Sequence, residues 1–457
     1  MIRTPLLICL LSLAGALQPL AAQTPVLDTY VAEGLKQNLA LRQQGLAYDQ
    51  ALAALDEARG LFMPRVSFMA SYSLADGGRS LAFPVGDLLN PVYATLNQLT
   101  ETQNLPTNIE NVDEQFLPNN FQETKFRVVQ PVLNADILLN YRLRQELVSV
   151  AGASQEVYRR TLIRDIRTAY YDYLRSEAAL EIYAETEGLL QEILRVNERL
   201  LANDKVTRDA VLQAQYELSR LAQDQAAAQQ QQATARAYFN FLLNRDLSSP
   251  VIIDSSLLVV APTATHDALY TQALLQRPER TQLDHARKAV LRQVQMQQYA
   301  LVPELNLVLD AGYQGFGYTF EEDQRFVMAQ AALQWNLFEG MQNRARQQQA
   351  ALEAQSLALQ SQTLDRQIGL QVVQSYYGVQ AAVAARQAAT QSVASARETL
   401  RLVQKKYLEA QSPLFEWLEA HTRYMQARLQ ESLAAYGYLR SLAELDFATG
   451  SASTPKP

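Results

Sequence analysis

The chain contains the same long helix-forming tract twice, and that repeat limits its fold more than any other feature. Residues 134–244 hold no proline, and only Gly152 and Gly188 interrupt a run rich in Ala, Leu, Gln, Glu and Arg. These are strong helix formers. A second tract runs from Phe338 to Gly450. The two align without a gap at an offset of 206 positions: Tyr170-Tyr171 on Tyr376-Tyr377, Ala178 on Ala384, Leu212 on Leu418, Ala214 on Ala420 and Phe241 on Phe447. The segments ahead of them repeat as well, Asp28 on Asp267 and Pro64 on Pro303, at an offset of 239. The first half therefore holds about 33 extra residues between its opening helix and its long tract. Two homologous halves replace the three ordinary domains that length alone would suggest.

Within each half the periodicity changes in the same order. Leu27, Val31, Leu35, Leu39, Leu46 and Leu52 recur at helical spacing, and predict a helix over 27–61 that Met63-Pro64 ends. Residues 64–73 then alternate, with Val66, Phe68, Ala70 and Tyr72 on one face and Arg65, Ser67 and Ser71 on the other. Residues 74–120 carry Gly77-Gly78 and four prolines, a long loop with room for one short helix near 86–104. A second strand is expected over 121–131, with Phe126 and Val128 opposite Lys125 and Arg127. A helical hairpin over 135–244 completes the first repeat, 23–250. Residues 251–265 form a linker, with a short strand expected at 251–253. The second repeat, 266–450, follows the same plan: helix 267–301, strands 304–313 and 325–337, and hairpin 339–447. Residues 451–457 read as a tail. Thr207 and Ser412 are the expected caps of the second hairpin arms, with Pro413 at a first helical position.

The N-terminus adds a compartment. Arg3 precedes an apolar run from Leu6 to Leu17, and small residues follow, the pattern of a secretory signal peptide over 1–22. The run is too short for a comfortable transmembrane helix, which needs about 20 apolar residues. Cys9 is the only cysteine, so the exported chain has no disulfide. A net charge of −7 without a basic cluster argues against nucleic acid as a partner.

The strands are the harder constraint. Each half supplies two, with one apolar and one polar face, and the long helices leave nothing to cover the apolar side. Lipid covers it best: apolar out, polar in. Four strands cannot close a barrel, and an open edge is not tolerated in hydrocarbon. The chain must therefore associate, and three copies would supply twelve strands, wide enough for a polar lumen. The fold class expected is mainly α with membrane β.

The signal peptide, the duplicated helix–strand–strand–hairpin order, the half endings Phe239 to Asn244 and Leu442 to Gly450, and Leu337-Phe338-Glu339-Gly340 together resemble the TolC-like outer membrane efflux proteins. That resemblance implies a homotrimer: a 12-stranded barrel in the outer membrane, continued by a 12-helix coiled-coil tunnel through the periplasm. It implies a passive exit duct for efflux or type I secretion, working with a periplasmic adaptor and an inner-membrane transporter. It also implies where function sits. Glu416 and Glu419 match the family's carboxylate pair at the periplasmic entrance, and Tyr407 a tyrosine that helps hold that entrance shut. The family's tip glycine is Ala410 here, and a basic residue of its lock is Ser412. Asp204, Arg208 and Asp209 are candidate contacts at the first tip. Arg65, Lys125, Arg127, Glu304 and Asp310 are expected to face the barrel lumen. Plainer roles compete with these: Glu416 and Glu419 also suit a helix N-terminus, and Tyr407 and the tyrosine pairs suit helix packing. No cofactor, metal or catalytic constellation is predicted, since His266, His285 and His421 are scattered. The rival readings are a secreted coiled-coil scaffold or adhesion protein without a pore, and a periplasmic adaptor.

Overall fold

A computed structural model describes residues 26–254, 264–409 and 411–451. The expected signal peptide, Ala410, most of the linker and nearly all of the tail lie outside the described residues. The first half comprises α1 (Val26–Gln37), α2 (Leu39–Gly60), β1 (Arg65–Ser73), β2 (Ser80–Phe83), α3 (Val85–Leu99), β3 (Val112–Gln115), β4 (Phe121–Leu133), α4 (Ala135–Ala202) and α5 (Arg208–Leu243). The second comprises α6 (His266–Gln276), α7 (Pro278–Tyr299), β5 (Glu304–Phe316), β6 (Arg325–Gln334), α8 (Gln342–Leu408) and α9 (Leu414–Thr449). A single 3₁₀ turn at Glu322–Gln324 lies between β5 and β6.

Neither opening helix is continuous, and the reason is the same in both halves. Asn38 breaks the helix expected over 27–61. It is buried, its Nδ2 donates to the Leu242 carbonyl at 2.9 Å, and its Oδ1 accepts the Leu41 N–H at 3.0 Å. The equivalent position in the second half is Arg277. Pro278 holds it extended, at φ −73° and ψ 120°. Its Nη1 donates to the Phe447 and Ala448 carbonyls at 3.3 Å, and its guanidinium lies 4.8 Å over the Phe447 ring. Leu242 and Ala448 are themselves equivalent. Each half thus spends a buried polar side chain on the orphan carbonyls at the end of its last helix. Both of those helices close on a left-handed residue, Asn244 and Gly450, at φ 55° and 72°.

Two compact units emerge from the contacts. The first gathers the chain up to Leu46, Ala153–Arg280 and everything from Thr363 on; the second holds Ala47–Gly152 and Thr281–Gln362. The first unit is helical. Its main core packs Val31, Ile163, Ile166, Tyr170, Phe239 and Val372, and a smaller cluster surrounds Trp417, Tyr407 and Leu221. Residues 251–253 are not a strand. They are pinned by phenol groups instead: Tyr30 Oη accepts the Ile252 N–H, and Tyr170 Oη donates to the Ile252 carbonyl, at 2.8 and 3.0 Å.

The second unit contains the strands. β1, β4, β5 and β6 form one antiparallel sheet in that order, leaving β1 and β6 as open edges. The register aligns Val66, Val128, Leu309 and Ala329 across it, and then Phe68, Phe126, Ala311 and Val327. Val66, Phe68, Phe126 and Val327 are 57–66% exposed. The helices α2, α4, α7 and α8 all join the strands at one end of the sheet, and the loops join at the other. β6 ends at Gln334, short of the expected 337, and α8 starts at Gln342 rather than 339. Gly340 and Met341 are both left-handed, at φ 59° and 67°, which no helix start accommodates.

Candidate functional site at the hairpin tips and the sheet's polar face

The second hairpin turns between α8 and α9. Pro413, extended at φ −73° and ψ 159°, is the N-cap of α9. Ser412 is therefore not the cap that was expected; its buried hydroxyl turns to the Glu416 carboxylate. Thr207 is the N-cap of α5, but its side chain makes no capping bond. Tyr407 is 9% exposed and donates its hydroxyl to Asn197 Oδ1 at 2.8 Å. Asn197 is wholly buried on α4 and donates in turn to the Ile193 carbonyl at 2.8 Å. Both polar groups are satisfied inside the helix packing, so the bond fixes α8 against α4. Burial raises the Tyr407 phenol above the ordinary tyrosine value, against the lowering effect of Asn197.

A groove of about 460 Å³ brings the two tips together, with Tyr407, Ser412 and Pro413 on one side and Asn197, Lys205 and Asp209 on the other. The remaining expected tip residues stay outside it. Asp204 is exposed in a left-handed turn at φ 55°, and Arg208 is exposed. Glu416 and Glu419 are exposed on the first turns of α9, with Glu419 paired to Arg423 at 2.5 Å.

Behind the tip lie two groups that the sequence patterns did not single out for it. Trp417 is 1% exposed, and His421 stacks on it at 4.9 Å between centroids and 14° between planes. Burial lowers His421 to about 4, so the imidazole is neutral near pH 7. The i, i+4 spacing of Trp417 and His421 was the available signal. Asn197 gave none, since one asparagine inside a helical tract reads as surface.

On the sheet, Arg65, Lys125, Arg127, Glu304 and Asp310 share one face by strand alternation. Arg127 grips the fully buried Asp310 carboxylate with both Nε and Nη2, at 2.8 and 2.7 Å. Lys125 Nζ stands 3.4 Å from the same carboxylate and also bonds Glu123. Gly312 is needed beside them, because a Cβ there would stand 2.1 Å from the Thr124 carbonyl oxygen. Arg65 is exposed and Glu304 half-buried, away from that cluster. Val308, Met328 and Phe326 also fall on this face, so it is mixed rather than purely polar.

Among the described residues no group of His, Cys, Asp and Glu is arranged to hold a metal, and no helix is long and apolar enough to cross a membrane. Residues 269–451 match the family model described as "Outer membrane efflux protein". The long helical tract within the matched span recurs in the first half at the internal offset of 206 positions. Solved structures cover both halves. The outer-membrane channel OprN is 16% identical, over 94% of this chain and 91% of its own, with a TM-score of 0.76. The CmeC outer membrane channel of Campylobacter jejuni is 15% identical, over 94% and 87%, at 0.77. The outer membrane protein VceC of Vibrio cholerae is 15% identical, over 93% and 96%, at 0.74. At such identities the likeness establishes the fold. No curated protein sequence matches the chain.

Proposed function

We propose that the chain is an outer membrane efflux protein, three copies of which close a 12-stranded barrel and a 12-helix tunnel, forming a passive exit duct from periplasm to cell exterior. The duct serves a tripartite efflux pump or a type I secretion system, with a periplasmic adaptor and an inner-membrane transporter as partners. The match of residues 269–451 to the outer membrane efflux family supports the outer-membrane location. One observation carries the assembly: a four-stranded sheet with two open edges and an apolar face that is more than half exposed at Val66, Phe68, Phe126 and Val327. Such a surface is stable only when hydrocarbon covers the face and other strands cover the edges.

The helices point the same way. Leu352, Leu370, Tyr377 and Leu402 of α8 are 47–60% exposed. At ~100° per residue they fall within about 40° of one another, one stripe along the helix. The tip is the proposed gate. Tyr407 and Asn197 hold it closed, and six carboxylates from Glu416 and Glu419 ring the opening of the trimer and favour cations.

Two measurements test this reading. The protein should leave membranes only with detergent and run as a trimer that heating dissociates; release by salt alone would sink it. Replacing Glu416 and Glu419 together by Ala should reduce cation selectivity in planar bilayers, and unchanged selectivity would remove the ring from the account.

A further inference from the structure

Residues 74–120 leave β1 and return into β4 at the end of the sheet that carries no long helices. They form a fixed body. β2 and β3 pair over four residues each, and the return segment straps one side of α3. Asn90 exchanges two hydrogen bonds with Ile109, its Nδ2 donating to the carbonyl and its Oδ1 accepting the N–H, both at 2.8 Å. Asn97 does the same with Leu105, at 2.7 and 3.1 Å. Asn111 Oδ1 accepts the N–H groups of Gly86 and Asp87, at 3.0 and 3.1 Å, and so caps α3 from the strap. The approach is close: a Cβ on Gly86 would stand 2.1 Å from the Ile109 carbonyl oxygen.

The strap covers the Gly86, Asn90, Tyr93 and Asn97 side of the helix. Beside it Leu88, Val92, Leu96 and Leu99 recur at helical spacing and stand 67, 51, 40 and 75% exposed. Among the described residues nothing covers this stripe. Its surroundings decide what does. Residues 80–116 carry five carboxylates and no Lys or Arg. A helix that lies on anionic headgroups needs basic residues along its polar flank, so a lipid surface would repel this one. An uncharged stripe on a body that is already ordered fits a copy of itself, with little conformational entropy left to lose. Position supplies the copy, because the insertion grows from β1, an edge strand that must pair with β6 of a neighbouring protomer.

We infer that the α3 stripe seats against the α3 stripes of the neighbouring protomers and closes the outer mouth of the ring with an apolar three-helix lid. The inference rests on the trimeric reading above. The contact is a second gate, distinct from the one at Tyr407, and it opens when the three stripes part.

The test uses the full chain in its native membrane, with single cysteines placed on two sides of α3. Val92→Cys sits in the stripe, and Ala94→Cys on the exposed polar side. Oxidation should cross-link Val92→Cys between protomers and leave Ala94→Cys uncross-linked, while both run as trimers on unheated gels. Leu96→Cys repeats the first arm if Val92→Cys fails to assemble. Val92→Asp should raise conductance several-fold, as three carboxylates force the stripes apart. Intact trimers without cross-links, with Val92→Cys and Ala94→Cys labelled equally fast by an impermeant maleimide, would overturn the lid alone. Absence of trimers for the unsubstituted chain would overturn the lid and the duct together.

Discussion

α4 and α8 are the same helix twice, 68 and 67 residues long, yet one is covered and the other is bare. On α4 the fully buried stretch includes Ile163, Ile166, Tyr170 and Leu174. On α8 the positions equivalent to Ile166 and Tyr173 are Val372 and Val379, also buried, so one face is shared. The opposite face is not. Tyr171 is 7% exposed, and its counterpart Tyr377 is 60% exposed. Where α4 carries Glu146 and Arg164, α8 carries the exposed leucines Leu352 and Leu370. The first half thus finished its packing within one chain, with Glu146 paired to His285 and Arg292 and Arg164 paired to Asp165. The second half has leucine there, an exposed apolar surface of the kind a neighbouring protomer would cover in the proposed trimer.

The sharpest way to break this comparison is to place a carboxylate on each helix. Ile166→Asp buries a charge in the main core, costs on the order of several kcal/mol, and should abolish folding of the chain, read as loss of soluble or detergent-stable protein. Leu370→Asp adds charge to an exposed face, and each chain should keep its helical content by circular dichroism. The unheated trimer band should be lost all the same. If Leu370→Asp assembled normally, α8 would be as self-sufficient as α4.

The next effect is local to the tip. Trp417 and His421 have Val211 and Gln215 at the equivalent positions of α5, so the stacked pair belongs to the second half only. Trp417→Ala removes a side chain that is 1% exposed and should cost ~3–5 kcal/mol of local stability. Proteolysis near residues 409–417 should accelerate, while the core around Tyr170 stays protected. Equal protection of both regions would show that the tip has no stability of its own.

How much of this was legible from the chain alone depends on whether the signal was local. The strand faces were, because Val66-Phe68-Ala70 and Leu305-Leu307-Leu309 alternate within a few residues and the repeat fixes their phase. The hairpin turns were legible to within a residue or two. The breaks at Asn38 and Arg277 were not, because neither residue is a strong helix breaker by itself and each acts through a carbonyl more than 150 positions away. Pro278 was the one available signal, and the repeat would have carried it to Asn38. α3 was blurred by Pro91, which sits inside the helix without ending it. At the tip, Tyr407 and the two glutamates were singled out through resemblance, but the partner Asn197 could not be, since a contact between two helices has no sequence period.

His421 should make the second tip acid-sensitive where the first is not. Its folded value is about 4 and its ordinary value 6.5. The unfolded tip therefore takes up a proton first as pH falls. The neutral, stacked form contributes its full stability above pH 6.5, loses it between 6.5 and 4, and levels off below. The loss is about 3 kcal/mol by that difference. Glu217, Arg220 and Asp224 of α5 line the same small cleft as His421. In a Trp335→Phe background Trp417 is the sole indole, and its fluorescence should report the loosening. His421→Gln, which copies Gln215 of the first half, should give a flat response over that range; an unchanged acid response would move its origin elsewhere.

The smallest expected effect concerns the bond between the halves at Tyr407. α4 carries Leu201 where α8 has Tyr407, and α8 carries Val403 where α4 has Asn197, so the pair exists once per chain. Tyr407→Phe keeps the ring but strands the buried Asn197 amide oxygen, at about 1 kcal/mol. In planar bilayers that should lengthen openings or raise conductance modestly. Tyr407→Phe with Asn197→Val replaces both partners by apolar groups, as the repeat itself does at the equivalent positions. It leaves no stranded oxygen, so the tip should be more stable than in Tyr407→Phe alone, while the gate stays easier to open than in the unsubstituted chain. If the double variant closed as firmly as the original, ring packing and not the hydrogen bond would hold the second tip, and the two tips would differ only in shape.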